Sequence, residues 1–259
     1  MIDMHCHILP GVDDGARNIV ESIDMLKEAE RAGFNNIIVT PHYFEGYYEV
    51  DEKHRVKLLE NLKAQVNFQK IAVSLYTGNE IYITENIMDN IKSKKASTLN
   101  NTPYVLIEFD LNTKPMNILN LIYKVLKEKD IPILAHPERY KFIQDDPMIA
   151  YELVSNGVLM QCNYGSFVGY YGEKAKILAK KFLKSNMVHF LGTDAHRPNT
   201  LYPMVPRVMK ELNEYIGKAK VDEITDSNPR KVLYNQYIEI DDPIKPKFSL
   251  IEKLKLGKK

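Results

Sequence analysis

Short apolar runs recur from one end of this chain to the other, and stretches with helical spacing separate most of them. The residues just before His5, then Asn36 to Thr40, Val73 to Thr77, Tyr104 to Ile107, Ile131 to Ala135, Val158 to Cys162 and Val188 to Leu191 make seven such runs. Between them, Ile19, Ile23 and Leu26, then Leu58, Leu59, Leu62 and Val66, then Ile118, Leu121, Ile122 and Val125, then Ala175, Leu178, Ala179 and Phe182 each line one face of a helix. The first of these predicts a helix over about Asn18 to Ala32, stopped at Gly33. Strands that are apolar at nearly every position are buried on both faces, and strict strand and helix alternation builds a parallel sheet. Seven repeats predict a closed or nearly closed α/β barrel; an open doubly wound sheet is the alternative, because periodicity does not reveal closure. The 259 residues suit one barrel of this kind, expected over residues 1–244. Residues 245–259, with six lysines against one glutamate, are expected to form an exposed basic tail.

Composition narrows the function. A net charge of +1 gives no general reason to expect a nucleic-acid partner, although a local basic patch is compatible with it. No apolar run approaches the roughly twenty residues that cross a bilayer, and the first motif begins too early to leave room for a signal peptide. A cytoplasmic protein is expected. Cys6 and Cys162 are the only cysteines. A cysteine phosphatase needs Cys-x5-Arg, but positions 12 and 168 are both Val, and no Gly-x4-Gly-Lys-Ser/Thr phosphate loop is present.

The polar residues at the ends of the runs point to metal chemistry. His5 and His7 are two apart, so a strand puts both on one face, where they can grip one cation. Asp14 offers an oxygen from the following loop. His42, Glu80, Glu108, His136, Asp194 and His196 each stand at or just past the C-terminal end of a run, and parallel barrels gather those ends on the rim that carries their active sites. Nine candidate ligands exceed what one cation takes, so a cluster of two or three ions is expected. Mixed histidine and carboxylate donors without thiolate suit zinc, manganese or iron. Cys6 alternates to the opposite face and reads as core.

The motifs His5-Cys-His7, Pro41-His42, Glu80, His136-Pro137 and Asp194-Ala-His196 resemble the polymerase and histidinol phosphatase (PHP) superfamily over essentially residues 1 to 236. More narrowly, the runs from His5 to Ala16 and from His136 to Tyr140 are similar to its bacterial tyrosine-protein phosphatases, encoded with capsule or exopolysaccharide genes. The resemblance implies a distorted seven-stranded barrel holding three divalent ions, often manganese. It assigns His5, His7, Glu80 and Asp194 to one ion, lets Glu80 bridge to a second held by Glu108 and His136, and gives Asp14, His42 and His196 to the third. It further implies, as substrate, a membrane-associated bacterial tyrosine kinase with a tyrosine-rich C-terminal tail.

The chemistry of a phosphomonoester fits these groups, since clustered dications stabilise oxygens that gather charge during in-line displacement. Arg139, three residues past His136, is assigned to the phosphoryl oxygens because its planar fork matches them. The aromatics of the loop from His42 to Tyr48 lie on the same rim, and Tyr48 is a candidate to flank the phenyl ring. Relatives place a second phosphate-binding arginine several residues past Asp-x-His; here Arg197 follows His196 at once and Arg207 comes next, so Arg197 is the candidate but the assignment stays open. A histidinol-phosphatase-like or other small-molecule phosphomonoesterase is the alternative reading, followed by an exonuclease or a non-catalytic docking module.

Overall fold

Asn18 shows how locally the helices are specified. Its side chain accepts from the backbone N–H groups of Val20 and Glu21, satisfying donors that a helix start otherwise leaves unpaired. In the computed structural model, which describes residues 1–257, α1 (Ile19–Arg31) follows this cap and buries Ile23, Met25, Leu26 and Ala29. Beyond it run α2 (Glu52–Phe68), α3 (Ile87–Lys92), α4 (Ile118–Lys127), α5 (Lys141–Asp145), α6 (Met148–Ser155), α7 (Tyr164–Val168) and α8 (Glu173–Lys184). Four more close the chain: α9 (Val205–Ile216), α10 (Lys218–Asp222), α11 (Asn228–Leu233) and α12 (Leu250–Leu256).

The strands are short and all pair in parallel. β1 (Ile2–Asp3), β2 (Asn36–Val39) and β4 (Ser74–Thr77) form one sheet in the order β1-β2-β4. The second sheet runs β3 (His42–Tyr43), β5 (Glu80–Tyr82), β6 (Tyr104–Glu108), β7 (Ile131–Ala135), β8 (Leu159–Asn163), β9 (Phe190–Gly192). The structure has nine strands where seven were expected, two of the runs being interrupted at Pro41 and Gly78. Pro41 has no N–H to give, and its carbonyl is instead taken by Glu80 N and Asn79 Nδ2. Gly78 is crowded so closely that a Cβ there would sit 2.9 Å from Leu99 Cδ2.

The sheet curls until its first and last runs meet. Cys6 makes an isolated parallel bridge with Ala195, while Asp194 N donates to His5 O (2.7 Å) and His7 N to Ala195 O (2.9 Å). Inside the curl, Ile2, Met4, Ile38, Leu106, Ile133 and Phe190 pack into one apolar cluster. Val232, Leu233 and Ile238 belong to it too and lie at the N-terminal ends of the strands, where Tyr104 Oη donates to Gln236 O. The larger cluster lies between the outer strand faces and the helices. With one end plugged by apolar side chains, polar groups are left to collect at the other.

The basic tail is largely exposed but carries an ordered element. Residues 245–257 are not a free strand of lysines: Ser249 and Glu252 form a reciprocal cap that starts α12, and Leu256 is buried. Lys181 to Glu252 (3.1 Å) and Lys255 to Glu173 (2.7 Å) tie this helix to α8. Apolar Leu256 and a complete capping box supply the order that a lysine count does not register. The last two residues of the expected tail lie outside the described residues.

Candidate metal centre

Each strand end delivers its polar residue to one place. The chain leaving β1 carries His5 and His7, β3 opens with His42, β5 opens with Glu80, β6 ends on Glu108, His136 follows β7 directly, and Asp194 follows β9. His136 (φ 36°) and Asp194 (φ 56°) are held in the left-handed region although neither is glycine. They are the buried residues among the described non-glycine positions of that kind, and such strain persists only where the surroundings enforce it.

Glu80 lies at the centre and is fully buried. Its Oε2 faces three imidazoles, with His5 Nε2 at 3.1 Å, His7 Nε2 at 3.2 Å and His42 Nδ1 at 3.1 Å. None reaches hydrogen-bond geometry with it, so this oxygen is a buried acceptor without a donor. Its Oε1 pairs with His136 Nε2 at 2.9 Å. Burial would push the Glu80 carboxyl up, but His5, His42 and His136 outweigh it and hold it well below the usual range. The same carboxylates act in reverse on the ligating rings. Burial and His7 pull the His42 imidazole down, yet Glu80 and Glu108 raise it to about 9.

The partners on the far side of each ring fix the tautomers. His5 Nδ1 meets Gln161 Oε1 (2.8 Å), and Gln161 spends its amide on Asn163 Oδ1, so the oxygen is what faces His5. His7 Nδ1 donates to Asp13 Oδ2 (2.8 Å). With both Nδ1 atoms protonated, the two Nε2 atoms face each other across 3.1 Å, so neutral rings would oppose their lone pairs there and rings that the surrounding carboxylates drive towards protonation would oppose two N–H groups. That approach is repulsive between neutral imidazoles and favourable around a shared cation. The donor set therefore fits a metal, and the partnerless Glu80 oxygen fits the same conclusion.

Three overlapping sets of donor atoms each lie within 4.8 Å of one another: His5, His7, Glu80 and Asp194; His42, Glu80 and Glu108; His7, Asp14, His42 and His196. His136 falls in none of them and reaches the centre through Glu80. Asp14 Oδ1 lies 3.4 Å from His196 Nε2 and 3.5 Å from His42 Nε2, and His196 above all holds its carboxyl down to about 2. Arg139 rests Nη1 on Asp194 Oδ2 and stacks its guanidinium 4.3 Å from the Tyr171 ring centroid. Tyr48 stacks on His42 with 5.6 Å between ring centroids, which puts a phenol beside the cluster. Arg197 donates from Nη1 to the carbonyls of Asp14, Gly15 and His196 and so ties down the Asp14 loop. Arg207 is exposed and pairs with Glu211. Cys6 is buried, with Sγ 3.6 Å from Ile38 O, away from the cluster as expected.

Sequence reasoning missed the residues that aim the ligands. Asp13 also accepts from His42 N (2.9 Å) and Gly15 N (2.9 Å), so one carboxylate orients two strands' ligands. Asn163 Nδ2 donates to Asp194 Oδ2, while its backbone N–H and Ser166 Oγ both donate to Glu138 Oε1. A signal for two of them was present: Gln161 and Asn163 are polar residues two apart within an otherwise apolar strand buried on both faces.

Comparison with known proteins places the chain in a family. The family model for capsular polysaccharide synthesis, CpsB/CapC, matches residues 1–234. The chain is similar to CapC of Staphylococcus aureus, 37% identical over 247 residues and covering 94% of this chain and 95% of that one. It is also similar to the tyrosine-protein phosphatase YwqE of Bacillus subtilis, 32% identical over 238 residues with 92% and 93% covered. Among solved structures, one described with YwqE of Bacillus subtilis and CpsB of Streptococcus pneumoniae as metal-dependent tyrosine phosphatases superposes with a TM-score of 0.89 at 31% identity, covering 96% of this chain and all of that one. A histidinol phosphate phosphatase from Lactococcus lactis shares the fold alone, at a TM-score of 0.56 and 14% identity. The chain belongs to the CpsB/CapC capsular polysaccharide synthesis family.

Proposed function

We propose that this protein is a metal-dependent protein-tyrosine phosphatase, a phosphoric monoester hydrolase that uses no cysteine nucleophile. The observation that carries the metal reading is the buried Glu80 Oε2, surrounded by three imidazole nitrogens and bonded to none. Three divalent ions, with manganese the first candidate, would be held by His5, His7, Glu80 and Asp194; by Glu80, Glu108 and His136, with His42 close by; and by Asp14, His42 and His196. Counting β2–β3 and β4–β5 as single broken strands, the frame reads as a distorted seven-stranded barrel with this centre at its C-terminal rim. Residues 1–244 make the catalytic unit in this reading.

Bound divalent ions supply the charge that activates water near neutral pH and offsets the phosphoryl oxygens. The chain's own residues do the rest. Gln161 and Asp13 keep His5 and His7 in the tautomers that present Nε2 inward. Arg139 brings a planar cation to the same edge of the cluster, suited to two phosphoryl oxygens at once. Tyr48 borders the mouth and is suited to flank the substrate's phenyl ring. Arg197 acts through Asp14, whose loop it holds. The leaving phenolate, with a pKa of about 10, departs more readily than an alkoxide and asks little of a general acid.

The substrate in this reading is a phosphotyrosyl protein in the cytoplasm, with the tyrosine-rich tail of a membrane-associated kinase as first candidate. Among the described residues no helix is long and apolar enough to cross a membrane. Steady-state hydrolysis of a phosphotyrosyl peptide, histidinol phosphate and single-stranded DNA is the test, each with and without a chelator. Chelator-sensitive turnover of the peptide well above the other two is expected. Preference for histidinol phosphate or DNA, or turnover indifferent to chelation, would overturn the reading.

A further inference from the structure

The segment after residue 234 lies beyond the family match and carries a feature that the catalytic site does not use. In α12, Glu252 and Lys255 pair with α8 and Leu256 is buried, so the period of 3.6 turns Leu250, Ile251 and Leu254 outward. They are 75%, 68% and 66% exposed. Lys253 and Lys255 border this apolar face, one on each side, Lys255 being held by Glu173. The helix is thus apolar toward solvent and basic along its margins, the reverse of what a surface helix needs for solubility.

Charge gathers at the same place. Together α8 and residues 245–257 contain nine lysines against Glu173 and Glu252, in a chain whose net charge is only +1, although Lys180 and Lys184 lie over Tyr215 and Lys245 over Tyr151. Both glutamates are already engaged, Glu252 with Lys181 and Glu173 with Lys255. These pairs also fix direction: α12 runs antiparallel to α8, so its end lies by the start of α8. That start follows Tyr171, the ring on which Arg139 stacks. The C-terminal end of α12 is thereby close in the chain's packing to the segment that carries Tyr171.

We propose that α12 is a membrane-surface anchor, seating Leu250, Ile251 and Leu254 in the headgroup boundary of an anionic bilayer while the surrounding lysines meet the lipid charge. An apolar face flanked by lysines fits an anionic lipid surface, where apolar burial and charge attraction act together. The lipid binding does not rest on the phosphatase reading.

Vesicle flotation of the full chain tests this, using phosphatidylcholine alone and phosphatidylcholine with phosphatidylglycerol in equal parts. Binding to the anionic vesicles is expected to exceed that to the neutral ones by roughly tenfold or more, and to weaken as salt is raised. The combined variant Leu250→Glu, Ile251→Glu, Leu254→Glu should lose flotation, and Lys247→Glu with Lys253→Glu should lose it on anionic vesicles. Both should hydrolyse a soluble phosphotyrosyl peptide at the wild-type rate, which separates this proposal from failure of the catalytic one. Absence of wild-type flotation, or equal flotation of the triple variant, would overturn it. So would light scattering that finds a dimer abolished by the triple variant without any vesicle binding, since the face would then be covered by a second copy.

Discussion

Removing the Asp13 carboxylate should loosen the metal centre without touching a ligand. Asp13 Oδ2 accepts from His7 Nδ1 and His42 N, and Oδ1 accepts from Gly15 N, all at 2.8–2.9 Å. In Asp13→Ala the His7 ring loses the acceptor that fixes its tautomer, and the loop carrying Asp14 loses its tie. Outer partners of ligating histidines typically contribute tenfold to a hundredfold in metal affinity, or about 1.4 to 2.7 kcal/mol. Asp13→Asn should fall between: an amide oxygen at the Oδ2 position keeps His7 and His42 N, while the amide nitrogen meets the Gly15 N–H. The assay is manganese competition against a chelator of known affinity, with peptide hydrolysis measured at saturating metal on the same samples. Weaker binding with activity restored by excess metal is expected. Wild-type metal affinity in Asp13→Ala would refute the argument that this carboxylate orients the centre.

Three further outcomes follow from named contacts. Arg139→Ala should keep metals and fold yet lower turnover by roughly a hundredfold or more, with Arg139→Lys recovering part; wild-type turnover would leave Arg139 a partner of Asp194 only. Cys6→Ser and Cys162→Ser should retain most activity, because burial pushes both thiols well up and neither is a thiolate; loss in a folded, metal-loaded variant would contradict this. His189 is buried and pulled down to about 4, chiefly by burial. It is neutral and stabilising above its unfolded value near 6.5, and that contribution, on the order of 3 kcal/mol, is lost as pH falls toward 4. Denaturant midpoints of chelated protein at both ends of that window should fall less in His189→Gln than in wild type.

Much of the site was legible because its chemistry sits at strand ends. His42, Glu80, Glu108 and His136 each interrupt an apolar run at its exit, and a parallel sheet brings exits together whatever the intervening helices do. What spacing does not reveal is the aim of side chains. Spacing offered Arg197 for phosphate and did not show that its Nη1 is held by the carbonyls of Asp14 and His196. Asp13 stands beside Asp14 in sequence and takes a different task, because Gly15, with no room for a Cβ against His7, folds the loop so that one carboxylate points in and the other stands at the mouth. The breaks at Pro41 and Gly78 were visible as residues but not as sheet boundaries, since they depend on the carbonyl and side chain each one meets.

The central claim is that Glu80 joins more than one metal ion. Anomalous X-ray diffraction from crystals grown with manganese tests it most directly. The account predicts separate peaks around Glu80, one among His5, His7 and Asp194 and another toward Glu108 and His136, with a third by Asp14, His42 and His196. A protein that shows no peak there, or a single one that Glu80 does not touch, would contradict it.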